Sequence, residues 1–292
     1  MGNSCFRNIR FICIAVLISF SANTFSQDTA RCDLKFVDHL VKAGLFKEAL
    51  FVLDSAECSS VESNDSTDWF RGWSLLSLNN PELSSGYLLK ITPASPFYIK
   101  SHFYAAYNYA GTGRSDSAVK ILENIELKSG NLNAVRDYQI AGLGLLKGDI
   151  SSFIEWYRTP GSYLPELGES SGNLIRLCVE MKDHKVKSRF VAGLLSGIIP
   201  GSGKFYAGRK GEGIAAFLST VSLGLITWEN YRKDGLKDFK TLAFGSAFAI
   251  VYAANIYGSV ISVRISETEY NDKIKNTVLF NLRIPLDRIF GR

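Results

Sequence analysis

A run of 23 consecutive residues without a charge, 241–263, constrains this chain most strongly. Its sequence is TLAFGSAFAIVYAANIYGSVISV, which is apolar or small at nearly every position. A helix needs about 20 predominantly apolar residues to cross the hydrocarbon core of a bilayer. The run therefore predicts a membrane-spanning helix.

Two further apolar stretches precede this run, at 190–202 and 213–228. The second has 16 uncharged residues and predicts another span, whereas the first is short and Pro200 and Gly201 interrupt it. The first stretch is either a span or a re-entrant segment. If residues 27–181 lie outside, three spans place eight of the nearby basic residues on the outer side and nine on the inner side. Two spans place only four on the inner side and thirteen on the outer side, against the positive-inside tendency. We therefore favour three spans with a cytoplasmic C-terminus. The predicted membrane segments are about 188–207, 211–231 and 239–263.

Charge divides the chain into two parts. Residues 27–181 hold 14 Lys and Arg against 19 Asp and Glu, and residues 182–292 hold 17 against 9. This asymmetry predicts an acidic module at 27–181 and a basic membrane domain at 182–292. Because the basic residues surround apolar segments and do not cover a soluble face, we expect no nucleic-acid partner.

The first 26 residues have the pattern of a signal peptide. Arg7 and Arg10 precede a ten-residue apolar stretch at 11–20, and small and polar residues follow up to Ser26. The stretch is too short to span a bilayer, although an uncleaved anchor is the alternative. The pattern predicts export, with the acidic module on the extracytoplasmic or periplasmic side of an inner (cytoplasmic) membrane.

The acidic module contains a helix–turn–helix pattern repeated about four times. Its turns fall at Gly44, Asn80, Gly113 and Gly148, spaced 36, 33 and 35 residues apart. Gly or Asn provides a positive φ at the end of the first helix of each unit. The residues five positions later, where a close approach of the second helix needs a small side chain, are Ala49, Ser85, Ala118 and Phe153.

Through this spacing and the fragments AGLFKEAL and GTGRSDSAVKIL, the module resembles the tetratricopeptide repeat family. Ser85 and Phe153 depart from that family's pattern, and related helical repeats remain an alternative. The resemblance implies a groove that binds a peptide or protein, and no catalysis. Tyr104, Tyr107 and Tyr138 are candidate partner-binding residues in such a groove, and packing between helices is the alternative role for each ring.

Cys32 and Cys58 flank the first predicted helical hairpin, so their positions meet in space. In an oxidising compartment they predict a disulfide, with two free thiols as the alternative. Cys178, Met181 and His184 share one helix but lack further ligands, so we expect no metal site and no cofactor.

The membrane domain contains rows of small residues and one recognisable motif. The rows include Gly193, Gly197, Gly201, Gly245, Ala249 and Gly258. Such rows allow helix backbones to approach closely in lipid. The segment GSGKFYAGRKGEG departs from a phosphate-binding loop because Ile198 occupies the first Gly position and Phe205 follows Lys204.

The same segment resembles the two-transmembrane domain family, which has an FYLG-type motif between two apolar helices. The candidate interface residues are Lys204, Phe205, Tyr206, Gly208 and Arg209. The aromatic pair suits the membrane interface and the basic residues suit anionic head groups. Pro200 and the third apolar segment depart from the family's pattern.

The C-terminal tail, 264–292, ends in VLFNLRIPLDRIFGR, an amphipathic pattern with Pro285 inside it. It predicts either a helix on the membrane surface or a segment docked on the protein.

Together these patterns predict an all-α protein, a helix–turn–helix repeat solenoid followed by a small bundle of two to three transmembrane helices. We expect a non-enzymatic protein that binds or scaffolds another cell-envelope protein and contacts membrane lipids. A lipid-interacting, transport or pore-like module regulated by the repeat is the alternative.

Overall fold

The computed structural model of the chain describes residues 33–55, 64–160 and 164–291. Within these ranges the protein forms thirteen helices and no strand, which confirms the predicted all-α class. The helices are α1 Leu34–Lys42, α2 Phe46–Asp54, α3 Asp65–Ser77, α4 Pro81–Leu88, α5 Tyr98–Gly111, α6 Ser115–Glu123, α7 Gly130–Leu145, α8 Ile150–Arg158, α9 Pro165–Asp183, α10 Arg189–Ile198, α11 Ser202–Tyr206, α12 Lys210–Asp234 and α13 Phe239–Phe290. The predicted signal peptide, 1–26, and the predicted Cys32–Cys58 disulfide lie outside the described residues.

The chain divides into two compact units, and the boundary between them falls between Glu126 and Leu127 in the sequence. The sequence places its domain boundary later, between 181 and 182, where the charge changes sign. The difference arises because the C-terminal part of α13 packs on α7 and α9, so these helices share a unit with the membrane segments. Charge composition reports the environment of a segment and not which segments pack together.

The first unit consists of helices α1 to α6, and tight turns join them in pairs. Gly44 and Gly113 have φ of +77° and +81°, as the sequence predicts for residues that end the first helix of a pair. In the second turn, Asn79 takes the positive φ, at 59°, while the predicted turn residue Asn80 caps α4 by accepting from the Leu83 amide. The turn position is therefore shifted by one residue.

The residue five positions after each predicted turn is buried. Ala49, Ser85 and Ala118 are at most 3% exposed in α2, α4 and α6, and Phe153 is fully buried in α8 of the second unit. At Phe153 the large ring is accommodated by Tyr138 and Trp156, whose ring centroids lie 6.2 and 5.4 Å away. A small side chain is thus one of two solutions at this position.

The second unit holds α7 to α13 and is organised around α13, a helix of 52 residues. Its first part packs on α10 and α12, and its C-terminal part packs on α7 and α9. Both α12 and α13 are long and apolar enough to cross a membrane, which indicates membrane association.

Candidate membrane site

We call residues 189–263, which hold the apolar helices of the second unit, the membrane part. It begins with a helical hairpin formed by α10 and α11. A Cβ added to Gly203 of α11 would lie 1.9 Å from the Ala192 carbonyl oxygen of α10, so only glycine fits there. The Gly203 amide donates to Ser196 Oγ at 2.9 Å, and Ser196 Oγ lies 2.6 Å from Ser259 Oγ of α13. This buried network fixes both helices of the hairpin against α13.

The two ends of the α10–α11 hairpin lie beside one another. Gly201 has a φ of +83° after α10 ends at Ile198, which reverses the chain. At the open end, the Ser188 amide donates to the Tyr206 hydroxyl at 3.1 Å. With 10 residues, α10 extends about 15 Å, half of a hydrocarbon core of about 30 Å. The α10 helix is therefore too short to cross the core by itself, and the turn at Gly201 is compatible with the re-entrant alternative for the first apolar segment. The three-span arrangement stays a prediction.

The predicted interface residues lie on this hairpin and just after it. Phe205 packs on Gly213 of α12, where an added Cβ would be 2.6 Å from the ring. Gly208 has a φ of +93° and starts the turn into α12. Arg209 binds Glu212 at 2.5 Å and Glu269 at 2.6 Å, which joins the start of α12 to α13. Arg209 is thereby paired with two protein carboxylates, and its predicted role at lipid head groups stays a prediction.

Most of the predicted small residues lie where helices touch. A Cβ on Gly193 would be 3.1 Å from Val260, and one on Gly197 would be 3.9 Å from Ile256. Gly245 faces Thr227 and Gly258 faces Lys204, each with an added Cβ 3.5 Å from a side-chain carbon. Gly201 lies beyond α10, and its added Cβ would be 2.2 Å from the Gly213 carbonyl oxygen of α12, while Ala249 is exposed.

A cleft with several polar lining residues lies between α12 and α13 beside the hairpin, and its volume is about 460 Å³. Its polar lining residues are Lys204, Glu212, Ser219, Thr220 and Asn255. Asn255 is 5% exposed, and neither its Oδ1 nor its Nδ2 has a hydrogen-bond partner within the described structure. Since an unpaired buried amide is costly, this cleft is the candidate binding site of the membrane part.

The C-terminal tail of α13 contains Pro285, which leaves one backbone carbonyl of the helix free to accept a hydrogen bond from α7. Pro285 has no amide to donate to the carbonyl four residues earlier, which belongs to Asn281. The hydroxyl of Tyr138 on α7 donates to that Asn281 carbonyl at 2.9 Å, and Gln139 Nε2 donates to the Leu282 carbonyl at 2.7 Å. The freed carbonyl thus becomes the docking point of the tail. Of the two predicted roles of the tail, the structure has the docked one.

Further contacts flank this docking point along α13. Arg288 binds Glu169 at 2.7 Å, and Lys273 binds Glu180 at 2.5 Å. The His184 ring stacks on Tyr270 at 3.6 Å, and its Nε2 lies 2.9 Å from Glu267 Oε2. The hydrogen bond to His184 lowers the pKa of the Glu267 carboxyl below its usual range. Sequence spacing does not reveal these partners, because they are about 80 to 120 residues apart.

The candidate partner-binding tyrosines belong mostly to the interior. Tyr138 and Tyr104 are both fully buried. Tyr104 packs edge-on against Trp73 at 5.0 Å, within a cluster that also holds Trp69 and Phe97. These two rings have the packing role that the sequence left as the alternative, while Tyr107 is half-buried and its partner role stays a prediction.

Cys178 is buried on α9, and burial raises the pKa of its thiol to about 11. Within the described ranges, no group of three or more His, Cys, Asp or Glu side chains is arranged to hold a metal ion. Comparisons of the chain with protein-family models, curated proteins and solved structures find no match.

Proposed function

We propose that this chain is a non-enzymatic, membrane-anchored helical-repeat protein that binds or scaffolds another cell-envelope protein. The observation that carries the proposal is the continuity of α13 from an apolar span into the buried contacts of its tail with α7 and α9. A helix without a break, whose far end is fixed by Tyr138 and Gln139, holds soluble helices at one membrane surface. Such an anchor suits a binding protein that acts on a partner near the membrane.

Large apolar side chains on the first unit support a protein partner. Phe51 is 80% exposed, Leu83 57% and Phe36 48%. Exposed aromatic and aliphatic side chains are typical anchors in the core of protein interfaces. In the proposed arrangement α1 to α6 form the repeat solenoid, and these residues, together with Tyr107, contact the partner.

The proposed location is an inner, cytoplasmic-type membrane, with the soluble helices on the extracytoplasmic side. The signal-peptide pattern at 1–26 supports this side. Resemblance to the tetratricopeptide and two-transmembrane families supports the same combination of a binding module with a membrane module.

Site-specific photocrosslinking in native membranes tests the binding role on the full-length protein. A photoreactive residue in place of Phe51 is expected to give a protein adduct of defined mass. The matched control replaces Lys120, which is exposed on α6. Equal adducts at both positions, or lipid adducts alone at position 51, would contradict the proposal.

A lipid-interacting membrane module is the second candidate function. The unpaired Asn255 amide in the cleft between α12 and α13 favours it, because a small polar group that enters the cleft would supply the missing hydrogen bonds.

A further inference from the structure

We propose that the cleft between α12 and α13 binds the phosphate and acyl-ester region of one anionic phospholipid. Lys204 receives the phosphate and Asn255 donates to an ester carbonyl deeper in the cleft. This site is separate from the protein-binding surface of the first unit, so the two proposals can fail independently.

The cleft leaves two of its polar side chains open to a ligand. Ser219 and Thr220 donate their hydroxyl protons to the Ala216 carbonyl, at 3.1 and 2.7 Å. Glu212 is bound by Arg209. The ammonium of Lys204 has no hydrogen bond or ion pair to another described residue, and both polar atoms of the buried Asn255 amide are unpartnered.

Gly258 explains how Lys204 reaches the cleft. The position of a Cβ on Gly258 is 3.5 Å from Lys204 Cε and 3.7 Å from Nζ, so the end of the lysine side chain lies against α13 at that residue. Asn255 is three residues away on the same helix face, about 4.5 Å along the axis. A cation and an amide donor therefore follow one another along one wall of the cleft.

The order of these two groups matches a phospholipid. Lys204 lies toward the charged end of α12, near the Arg209–Glu212 pair, and Asn255 lies toward the middle of the span. A phospholipid likewise carries its charged phosphate at the surface and its ester carbonyls one step deeper. An ammonium donating to a phosphate oxygen forms a charge-assisted hydrogen bond, stronger than a neutral one.

The walls of the cleft favour a lipid over a soluble phosphate. Between the polar residues the lining is Ala215, Ala216, Val251 and Ala254, all on helices that are long and apolar enough to span a membrane. A ligand here contacts apolar surface with one part and Lys204 with another. The charge of the cleft favours an anionic lipid over a neutral one. Arg209 neutralises Glu212, so Lys204 gives the cleft a net positive charge.

Titration of the purified full-length protein in neutral detergent, read by native mass spectrometry, tests the site. The probes are phosphatidylglycerol, phosphatidylcholine and inorganic phosphate. We expect one phosphatidylglycerol to bind in preference to phosphatidylcholine, and inorganic phosphate neither to bind nor to displace it. Lys204→Met should weaken phosphatidylglycerol binding about tenfold.

Three more variants make this loss specific. Lys204→Arg keeps the charge and should bind like the natural protein. Asn255→Leu should weaken binding about two- to tenfold, and should unfold at a higher temperature than the natural protein when lipid is absent, because it removes the unpaired amide. Lys210→Met removes a nearby exposed charge and should leave binding unchanged.

Three results would overturn the assignment. Unchanged binding in folded Lys204→Met and Asn255→Leu, judged by circular dichroism, removes the cleft as the site. Equal losses in Lys204→Met and Lys210→Met indicate general attraction to a basic surface. Lys204-dependent binding of inorganic phosphate that displaces phosphatidylglycerol indicates a soluble anion. None of these results bears on the photocrosslinking at Phe51.

Discussion

At the scale of single residues, Gly203 has the tightest steric requirement of the membrane part. The Ala192 carbonyl oxygen would lie 1.9 Å from an added Cβ, and this oxygen belongs to backbone that cannot rotate away. Gly203→Ala should therefore lower the free energy of unfolding by about 1–3 kcal/mol. Thermal unfolding of the purified protein in detergent measures the effect.

Gly211→Ala is the matched control for this substitution. No atom lies within 4 Å of its added Cβ, and alanine favours a helix more than glycine does. We expect an unchanged or slightly higher unfolding temperature. A Gly203→Ala protein as stable as Gly211→Ala would show that α10 and α11 are not in contact.

Asp68 on α3 gives a pH-dependent prediction. Its side chain is 3% exposed, and burial raises the pKa of its carboxyl, while nearby Lys90 and Arg71 lower it and Asp65 raises it. A carboxyl whose folded pKa lies above its unfolded pKa costs stability at neutral pH. That cost disappears as the pH falls through the folded pKa.

Asp68→Asn should therefore be more stable than the natural protein at pH 7, and the difference should shrink toward pH 4, about the usual pKa of Asp. Chemical unfolding of the two proteins at several pH values measures this difference. Glu123→Gln, at an exposed carboxyl on α6, is the control, and a stability difference for Asp68→Asn that grows toward low pH would contradict the sign.

At the scale of elements, the tail of α13 is fixed on helix α7 by one hydrogen bond that depends on Pro285 and Tyr138. We call this contact the lock. Pro285 leaves the Asn281 carbonyl without a helical partner, and buried Tyr138 supplies one at 2.9 Å. Tyr138→Phe should cost about 1–3 kcal/mol, since a buried carbonyl then lacks a donor. In a Pro285→Ala background the helix supplies its own amide, so the same substitution should cost less.

A double-mutant cycle of Tyr138→Phe and Pro285→Ala, followed by thermal unfolding, measures this coupling. Tyr157→Phe, at a ring that is 46% exposed, is the control and should change stability by less than about 0.5 kcal/mol. Additive effects of the two substitutions would contradict the lock.

This lock also shows where sequence-based prediction stops. Local patterns identified the apolar helices and the turns at Gly44, Gly113 and Gly148, because each depends on neighbouring residues. The tail pattern at 278–290 predicted an amphipathic segment but not the surface that covers it. The partner of Asn281 is 143 residues earlier, and no periodicity carries that information.

The same limit applies to the membrane site. Lys204 belongs to a motif that the sequence points to, and Asn255 is a polar residue in an apolar run. Their placement in one cleft depends on the turn at Gly201 that folds α11 back along α13. Hydropathy cannot separate a short span from a re-entrant hairpin, because both are apolar stretches.

At the scale of the second unit, helix packing constrains membrane topology. Helices α7 and α9 precede the spans in sequence and pack on the tail that follows them. If α12 and α13 both cross a membrane, the segments before and after this pair lie on the same side. Under that condition the number of spans is even, and a re-entrant α10–α11 hairpin satisfies this requirement.

This even number changes how the charges are interpreted. With two spans, only Arg232, Lys233, Lys237 and Lys240 lie on the far side, against thirteen basic residues on the near side. The positive-inside tendency then favours a cytoplasmic location for the soluble helices. The signal-peptide pattern favours the extracytoplasmic side, which is the location proposed for the soluble helices, and cysteine labelling distinguishes the two sides.

Labelling of single introduced cysteines with a membrane-impermeant maleimide, in right-side-out membrane vesicles, decides both questions. Lys185→Cys before the spans and Lys275→Cys after them should react alike, while Lys237→Cys between α12 and α13 should behave in the opposite way. The chain without an introduced cysteine gives the background, and lysed vesicles give full labelling. Reaction of 185 and 275 but not 237 in intact vesicles places the soluble helices outside the cytoplasm, and the reverse places them inside. Opposite behaviour of 185 and 275 would require an odd number of spans, which the packing of the tail on α7 and α9 does not allow.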